Sequence, residues 1–278
     1  MNQVNDDSSE PVTTQRIIHP QQQPHEAYQN SHNSYHIHGD KFVPSQQHSD
    51  LEAGMISQDL EDKSEAILRM GFIRKVYGIL SLQLLMTTLF VGFAFEPIFN
   101  LFLYNNIGLF YVAMMMNIAI LLSMVCVPSL LRTVPTNYIL LFVWTFCEGY
   151  MVATVAAFNP PEIVLTAAGL TALVSVALTV YAFTTKTDFT FLGGFLFVMT
   201  FIMLFWGILT LIFGFFFYTV YCVLGVMLFS IYLIFDTQLI LGKFGLQYSI
   251  DDYILASINI YIDIIQLFLY ILQLLRRD

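Results

Sequence analysis

From Tyr77 to the C-terminus, long apolar stretches alternate with short polar breaks, and seven stretches are long enough to cross a ~30 Å hydrocarbon core as helices. They fall at about 77–96, 108–130, 138–158, 163–183, 191–212, 218–241 and 253–274. Most breaks are plain: Glu96-Pro97 to Asn106, Arg132 to Thr136, Asn159-Pro160-Pro161-Glu162, Thr184 to Asp188, and Gly242 to Asp252. Only Gly214 and the aromatic run Phe215 to Tyr218 separate the fifth stretch from the sixth. Continuous apolar runs of this length satisfy their backbone polar groups in lipid as helices, whereas barrel strands alternate over shorter segments. Before the first stretch, residues 59–75 place Leu60, Ile67, Leu68 and Phe72 among charged neighbours. That pattern suits a short amphipathic lead-in helix, or else a plain juxtamembrane linker.

Composition agrees with the pattern. Of 278 residues, 57% are hydrophobic and 11% charged, and the mean hydropathy is +0.68, a balance foreign to a soluble domain with a wet surface. The net charge of −9 does not mark an acidic binding face, because residues 1–65 hold three basic and eleven acidic side chains and so carry nearly all of it. Those residues are rich in Gln, Asn, His and Ser, and are expected to be a disordered cytosolic tail. All six histidines, from His19 to His48, lie there at irregular spacing, which favours a solvated tail over a metal tract. The three cysteines, Cys126, Cys147 and Cys222, sit in apolar stretches and read as packing residues. No cleaved signal peptide is expected at the N-terminus. The chain thus divides into a tail, 1–65, and an all-α polytopic membrane domain, 66–278.

Lysines and arginines set the orientation. Arg69, Arg74 and Lys75 precede the first span, Arg132 follows the second, Lys186 the fourth and Lys243 the sixth, while the alternate loops carry none. The positive-inside rule then places the N-terminus and these loops in the cytosol. Arg276 and Arg277 conflict with this if the last stretch crosses fully; either it re-enters, or terminal charges do not decide.

Beyond Tyr77 only Glu148, Asp236 and Asp263 are charged well inside a span. Each costs roughly 2.5–3.5 kcal/mol at a helix centre, so such residues face a bundle interior or a watery cavity, and they commonly mark an ion or proton path. The plainer alternative is a protonated acid bonded to a neighbouring helix. In the last stretch Asn259, Asp263, Gln266, Tyr270 and Gln273 follow at steps of four, three, four and three, one face of a helix. A polar stripe on a spanning helix points inward, which makes the seventh span the candidate centre of the bundle. Asp236 lies about five residues from the cytosolic end of its span and Asp263 about ten, roughly 8 and 15 Å deep, so contact requires stagger or tilt. If the carboxyls meet, a shared proton is favoured over two bare charges. Arg132 is either an ordinary anchor or a latch that snorkels toward the carboxylates.

Four stretches, Phe72 to Leu85 (FIRKVYGILSLQLL), Tyr181 to Thr190 (YAFTTKTDFT), Ile231 to Leu239 (IYLIFDTQL) and Tyr253 to Leu275 (YILASINIYIDIIQLFLYILQLL), resemble the transmembrane Bax inhibitor motif family, most closely its Lifeguard and Golgi anti-apoptotic branch. The resemblance covers about residues 68–276. It implies a seven-helix fold with the last helix central, residence in endoplasmic reticulum or Golgi membranes, a pH-dependent Ca²⁺ leak and opposition to apoptosis. The family's paired aspartates match Asp236 in FDTQ and Asp263 in YIDII, and its latch arginine lies where this chain has Arg132. Glu148, in CEGY, matches an acidic position of the Lifeguard branch and is expected to line the same cavity with Asn259 and Gln266.

Three function classes compete. A cation leak suits carboxylate oxygens, with Asp236 and Asp263 as a weak transit site, because a tight Ca²⁺ cage needs six to eight oxygens and no EF-hand loop is present. Ca²⁺ is then the permeant ion, and no cofactor or nucleic-acid partner is expected. A non-conducting scaffold, binding apoptosis regulators or other channel proteins in the bilayer, is the second class. The third is an intramembrane aspartyl protease, disfavoured because Asp263 follows Tyr261-Ile262 instead of the glycine-flanked pattern of those enzymes; a rhomboid is excluded by the lack of histidine in every span. An enzyme is therefore not expected.

Overall fold

In a computed structural model, residues 45–213 and 218–276 are described, and the described chain is helical throughout apart from turns and loops. The helices are α1 (Ser45–Phe93), α2 (Pro97–Asn105), α3 (Ile107–Cys126), α4 (Thr136–Ala157), α5 (Pro161–Thr184), α6 (Gly193–Phe213), α7 (Tyr218–Leu241) and α8 (Tyr253–Leu275). All but α2 are long and apolar enough to span a membrane, so the expected seven-span, all-α architecture holds among the described residues. The chain divides into two units, Met1–Gln58 and Asp59–Asp278. The second holds the apolar part of α1 and every later helix.

Prolines and glycines punctuate the helices where their chemistry requires. Pro97 and Pro161 open α2 and α5 at positions that have no intrahelical donor to lose, and Pro128 stops α3 four residues earlier than hydropathy alone suggested. The break at 97–106, expected as a loop, winds into the nine-residue α2; Tyr104 ties it down by donating to the carbonyl of Ala157 at 3.0 Å. Of the expected tail, residues 1–44, with five of its six histidines, lie outside the described residues. From Ser45 the chain is already helical, and the 59–75 lead-in is helix continuous with the first span. The helix-forming run of Leu, Glu, Met, Ala and Lys from Leu51 onward explains that extension. Residues 214–217, the aromatic break, are likewise outside the described set.

α8 occupies the centre. Burial takes 61% of its apolar window, against 11–44% of the other six spans. Ile254, Ile258, Ile260, Tyr261, Leu267 and Leu272 are almost fully enclosed by Phe72, Val76 and Leu80 of α1, Trp144 of α4, Ala167 of α5 and Leu233 of α7. The helix is unbroken over 23 residues, about 35 Å at 1.5 Å per residue, and contains no re-entrant turn. Its polar stripe does not form the deepest face, as the sequence suggested. Asp263 alone on the stripe is fully buried, while Asn259, Gln266, Tyr270 and Gln273 are half-buried. Tyr270 and Gln273 meet Tyr221 and Tyr218 of α7, so this end of the stripe is the α7–α8 seam.

Along that seam Gly225 lets the helices close: a Cβ there would stand 2.6 Å from the Tyr270 ring. Gly225→Leu is expected to cost about 1–3 kcal/mol through overpacking. Thermal unfolding of the purified protein in detergent checks this, and an unchanged midpoint would contradict the packing.

Candidate functional site

Three consecutive residues of α7, Asp236, Thr237 and Gln238, are buried to 5%, 0% and 0% exposure, an unusual density of polar groups for a spanning helix. Gln238 is satisfied by the α5–α6 connection. It donates to the Thr187 carbonyl at 2.9 Å and accepts from the Phe189 amide at 2.8 Å, pinning that loop to the end of α7. Thr237 faces the hydroxyl of Tyr77 on α1. Asp236 and Asp263 are both buried, near each other on α7 and α8, the two helices that pack most extensively together, and Asp263 Oδ2 has no hydrogen-bond partner. Two carboxyls buried close together favour sharing a proton over carrying two bare charges.

The 242–252 connection closes one side of the pair. Its chain turns at Gly242, whose φ of +67° suits glycine, and returns so that the Tyr248 amide donates to the Leu239 carbonyl at 3.3 Å. The Tyr248 hydroxyl donates to Asp236 Oδ1 at 2.9 Å and accepts from Asn259 Nδ2 at 2.7 Å. Burial, and next the charge of Asp236, push the Tyr248 hydroxyl far above its ordinary pKa, so it remains a donor across the physiological range. Arg69 of α1 holds the same loop, donating to the Tyr248 carbonyl at 2.8 Å and to the Gln247 side chain, with its guanidinium against Gly242. Outside Tyr248 lies a cavity of about 540 Å³, walled by Asp62, Glu65 and Arg69 of α1 and by Leu241, Gly242 and residues 247–250. Tyr248 therefore stands between this cavity and Asp236.

The other sequence candidates fall in different places. Arg132 is not at the pair: it makes a two-pronged contact with Asp252, 2.8 and 3.1 Å, with its side chain 55% exposed. This bond to Asp252 raises its pKa. A nearer carboxylate at the surface has captured it before it could snorkel inward. Glu148 accepts from Asn117 of α3 at 2.6 Å and lies near Tyr261, which bonds Thr87 at 2.6 Å; its polar contact is with α3 and not with the aspartates. Asn259 does join the network through Tyr248, whereas Gln266 lies one turn beyond it, half-buried. The sequence does not distinguish Arg69 and Tyr248, the first a charge before the first span, the second inside a loop without periodicity. Among the described residues no group of three or more His, Cys, Asp or Glu could hold a metal ion, so two carboxyls are the whole anionic donor set of this site.

The fold and the buried pair define a multi-pass membrane protein with an ionisable centre on its innermost helix. Residues 69–278 match the family described as "Inhibitor of apoptosis-promoting Bax1", and the chain belongs to that family. It is 36% identical over 214 residues to human protein lifeguard 3, covering 75% of this chain and 69% of that one, and 34% identical over 213 residues to the mouse protein of the same name. Bax inhibitor 1 of the fission yeast Schizosaccharomyces pombe is 36% identical over 216 residues, 75% of this chain and 77% of that one.

Tyr248→Phe leaves a buried oxygen of Asp236 without its donor and is expected to lower stability by about 1–3 kcal/mol. Arg132→Gln, at an exposed pair, is expected to leave the unfolding midpoint in place. Parallel denaturation in detergent separates the two, and the reverse ranking would refute this assignment of partners.

Proposed function

We propose that the protein is a pH-sensitive Ca²⁺ leak of intracellular membranes, of endoplasmic reticulum or Golgi, with its N-terminus in the cytosol, and that by lowering stored Ca²⁺ it opposes apoptosis. The observation that carries this reading is the burial of two acids, Asp236 and Asp263, on the mutually packed helices α7 and α8, with Tyr248 bonded over Asp236. A proton and a divalent cation compete for the same oxygens. With the shared proton in place the pair is closer to neutral and binds cations poorly; its loss leaves two carboxylates that repel each other and attract a hard cation. A site of two carboxylates holds Ca²⁺ weakly, as transit requires. Asn259 and Glu148 are assigned to the lining of the path. On this reading Arg69 replaces Arg132 as the latch: it does not neutralise the aspartates directly, but keeps Tyr248 seated over Asp236.

Ca²⁺ flux from proteoliposomes containing only the purified protein tests this. Wild-type flux is expected to vary with pH, and that variation to vanish in Asp236→Asn and in Asp263→Asn. Arg69→Ala is expected to raise the flux severalfold by freeing the Tyr248 loop. A pH profile unchanged in both aspartate variants would overturn the pair as the sensor. No flux under any condition would favour a non-conducting regulator that binds apoptosis proteins or other channels.

A further inference from the structure

A second cavity, of about 500 Å³, has no acidic or basic side chain in its lining. It is a slot between α1 and α5, floored by α8. α5 packs on α7 and α8 without closing against α1. The floor is Leu80, Ile260 and Ile265, all buried, and the open rim is the row Ala168, Ala172, Val176 and Val180, exposed at successive turns of α5. Along α1 the slot runs from Tyr77 to Val91, about 21 Å at 1.5 Å per residue, so it is elongated along the membrane normal and longer than one ~15 Å leaflet of the hydrocarbon core.

Its wall offers carbon. Several of its hydroxyls are bonded to their own helices: Ser81 to the Tyr77 carbonyl at 2.7 Å, Thr88 to that of Leu84 at 2.8 Å, and Thr171 to that of Ala167 at 2.8 Å. The buried Ser175 Oγ and Tyr77 hydroxyl have no partner. A resident water needs two to four polar partners, so two free hydroxyls could anchor at most a single water and leave most of about 500 Å³ to carbon. Left empty, a slot of this size would forfeit the dispersion contacts of its whole lining. The surrounding medium is hydrocarbon and enters freely along the open rim.

We propose that this slot holds one hydrocarbon chain of a membrane lipid as an intrinsic packing element between α1 and α5. The volume lies within the ~300–1,000 Å³ of ligand cavities, and the narrow, elongated shape suits a chain better than a compact solute. Neither acid lines the slot, but Tyr77 at one end of it faces Thr237 of α7. The chain thereby sets how closely α1 approaches α7 and α8.

The test uses the full-length protein in bilayers containing phosphatidylcholine with a photoreactive diazirine near the end of one acyl chain, with labelled residues mapped by mass spectrometry. Label is expected to concentrate on the slot walls, over Leu80–Val91 of α1 and at Ala168, Ala172, Val176 and Val180 of α5, severalfold above the outward-facing Leu173 of the same α5. Ala172→Phe, which fills the rim, is expected to remove the slot label while Leu173 stays labelled, showing that the helix is still in place. Uniform labelling around α5, or slot label that survives Ala172→Phe, would overturn the proposal. Ser175→Cys adds an independent arm: a thiol surrounded by hydrocarbon stays protonated and is expected to resist a membrane-impermeant, charged maleimide added from either side, whereas its modification would show a water-filled slot and overturn the proposal equally.

Discussion

Two carboxyl groups buried on neighbouring helices, where hydrocarbon surrounds the protein, are the constraint on which the structure turns. Neither can be left bare, and both cannot be charged without a counterion, so a proton, a donor and a dry wall are all required. The wall is α8's burial on every side. The donor is Tyr248, brought over the end of α7 by a loop that needs a left-handed glycine to turn. Gln238 completes the enclosure by fixing the neighbouring loop to the end of α7, and Tyr77 of α1 faces Thr237 beside it. What looks like scattered polar decoration is one arrangement that makes two acids tolerable.

The same arrangement shows why the family's similar stretches are far apart in sequence. Tyr77 lies in the first, Thr187 and Phe189 in the second, Asp236 to Gln238 in the third, and Asn259 and Asp263 in the fourth. All meet at one end of α7. Each stretch holds a part whose purpose is visible only when the other three are present.

Much of this was legible in the sequence, for a physical reason. Spans are written as long apolar runs, and an acid inside one stands out by its cost, so the seven helices and the identities of Asp236 and Asp263 could be read directly. How near the two acids come could not, because depth counted along each helix says nothing of how far α8 is shifted relative to α7. The stripe on α8 was real, but two of its five members were drawn to tyrosines of α7 and not to the centre. For Arg132 the sequence left anchor and latch open, and the structure pairs it with Asp252 at the surface, because a long side chain takes the first carboxylate it meets. Tyr248 carried no signal, since a loop residue is identified by its partners and not by its spacing.

α1 is unbroken from Asp59 to Phe93, and this has a mechanical consequence. The guanidinium that seats the Tyr248 loop and the apolar residues that line the slot are fixed to one stiff rod, the first about two turns from the nearest of the second. A rod without a hinge cannot tilt at one point and remain still at another. A sideways shift at Ser81 is therefore levered to Arg69, and through it to the loop that Arg69 holds.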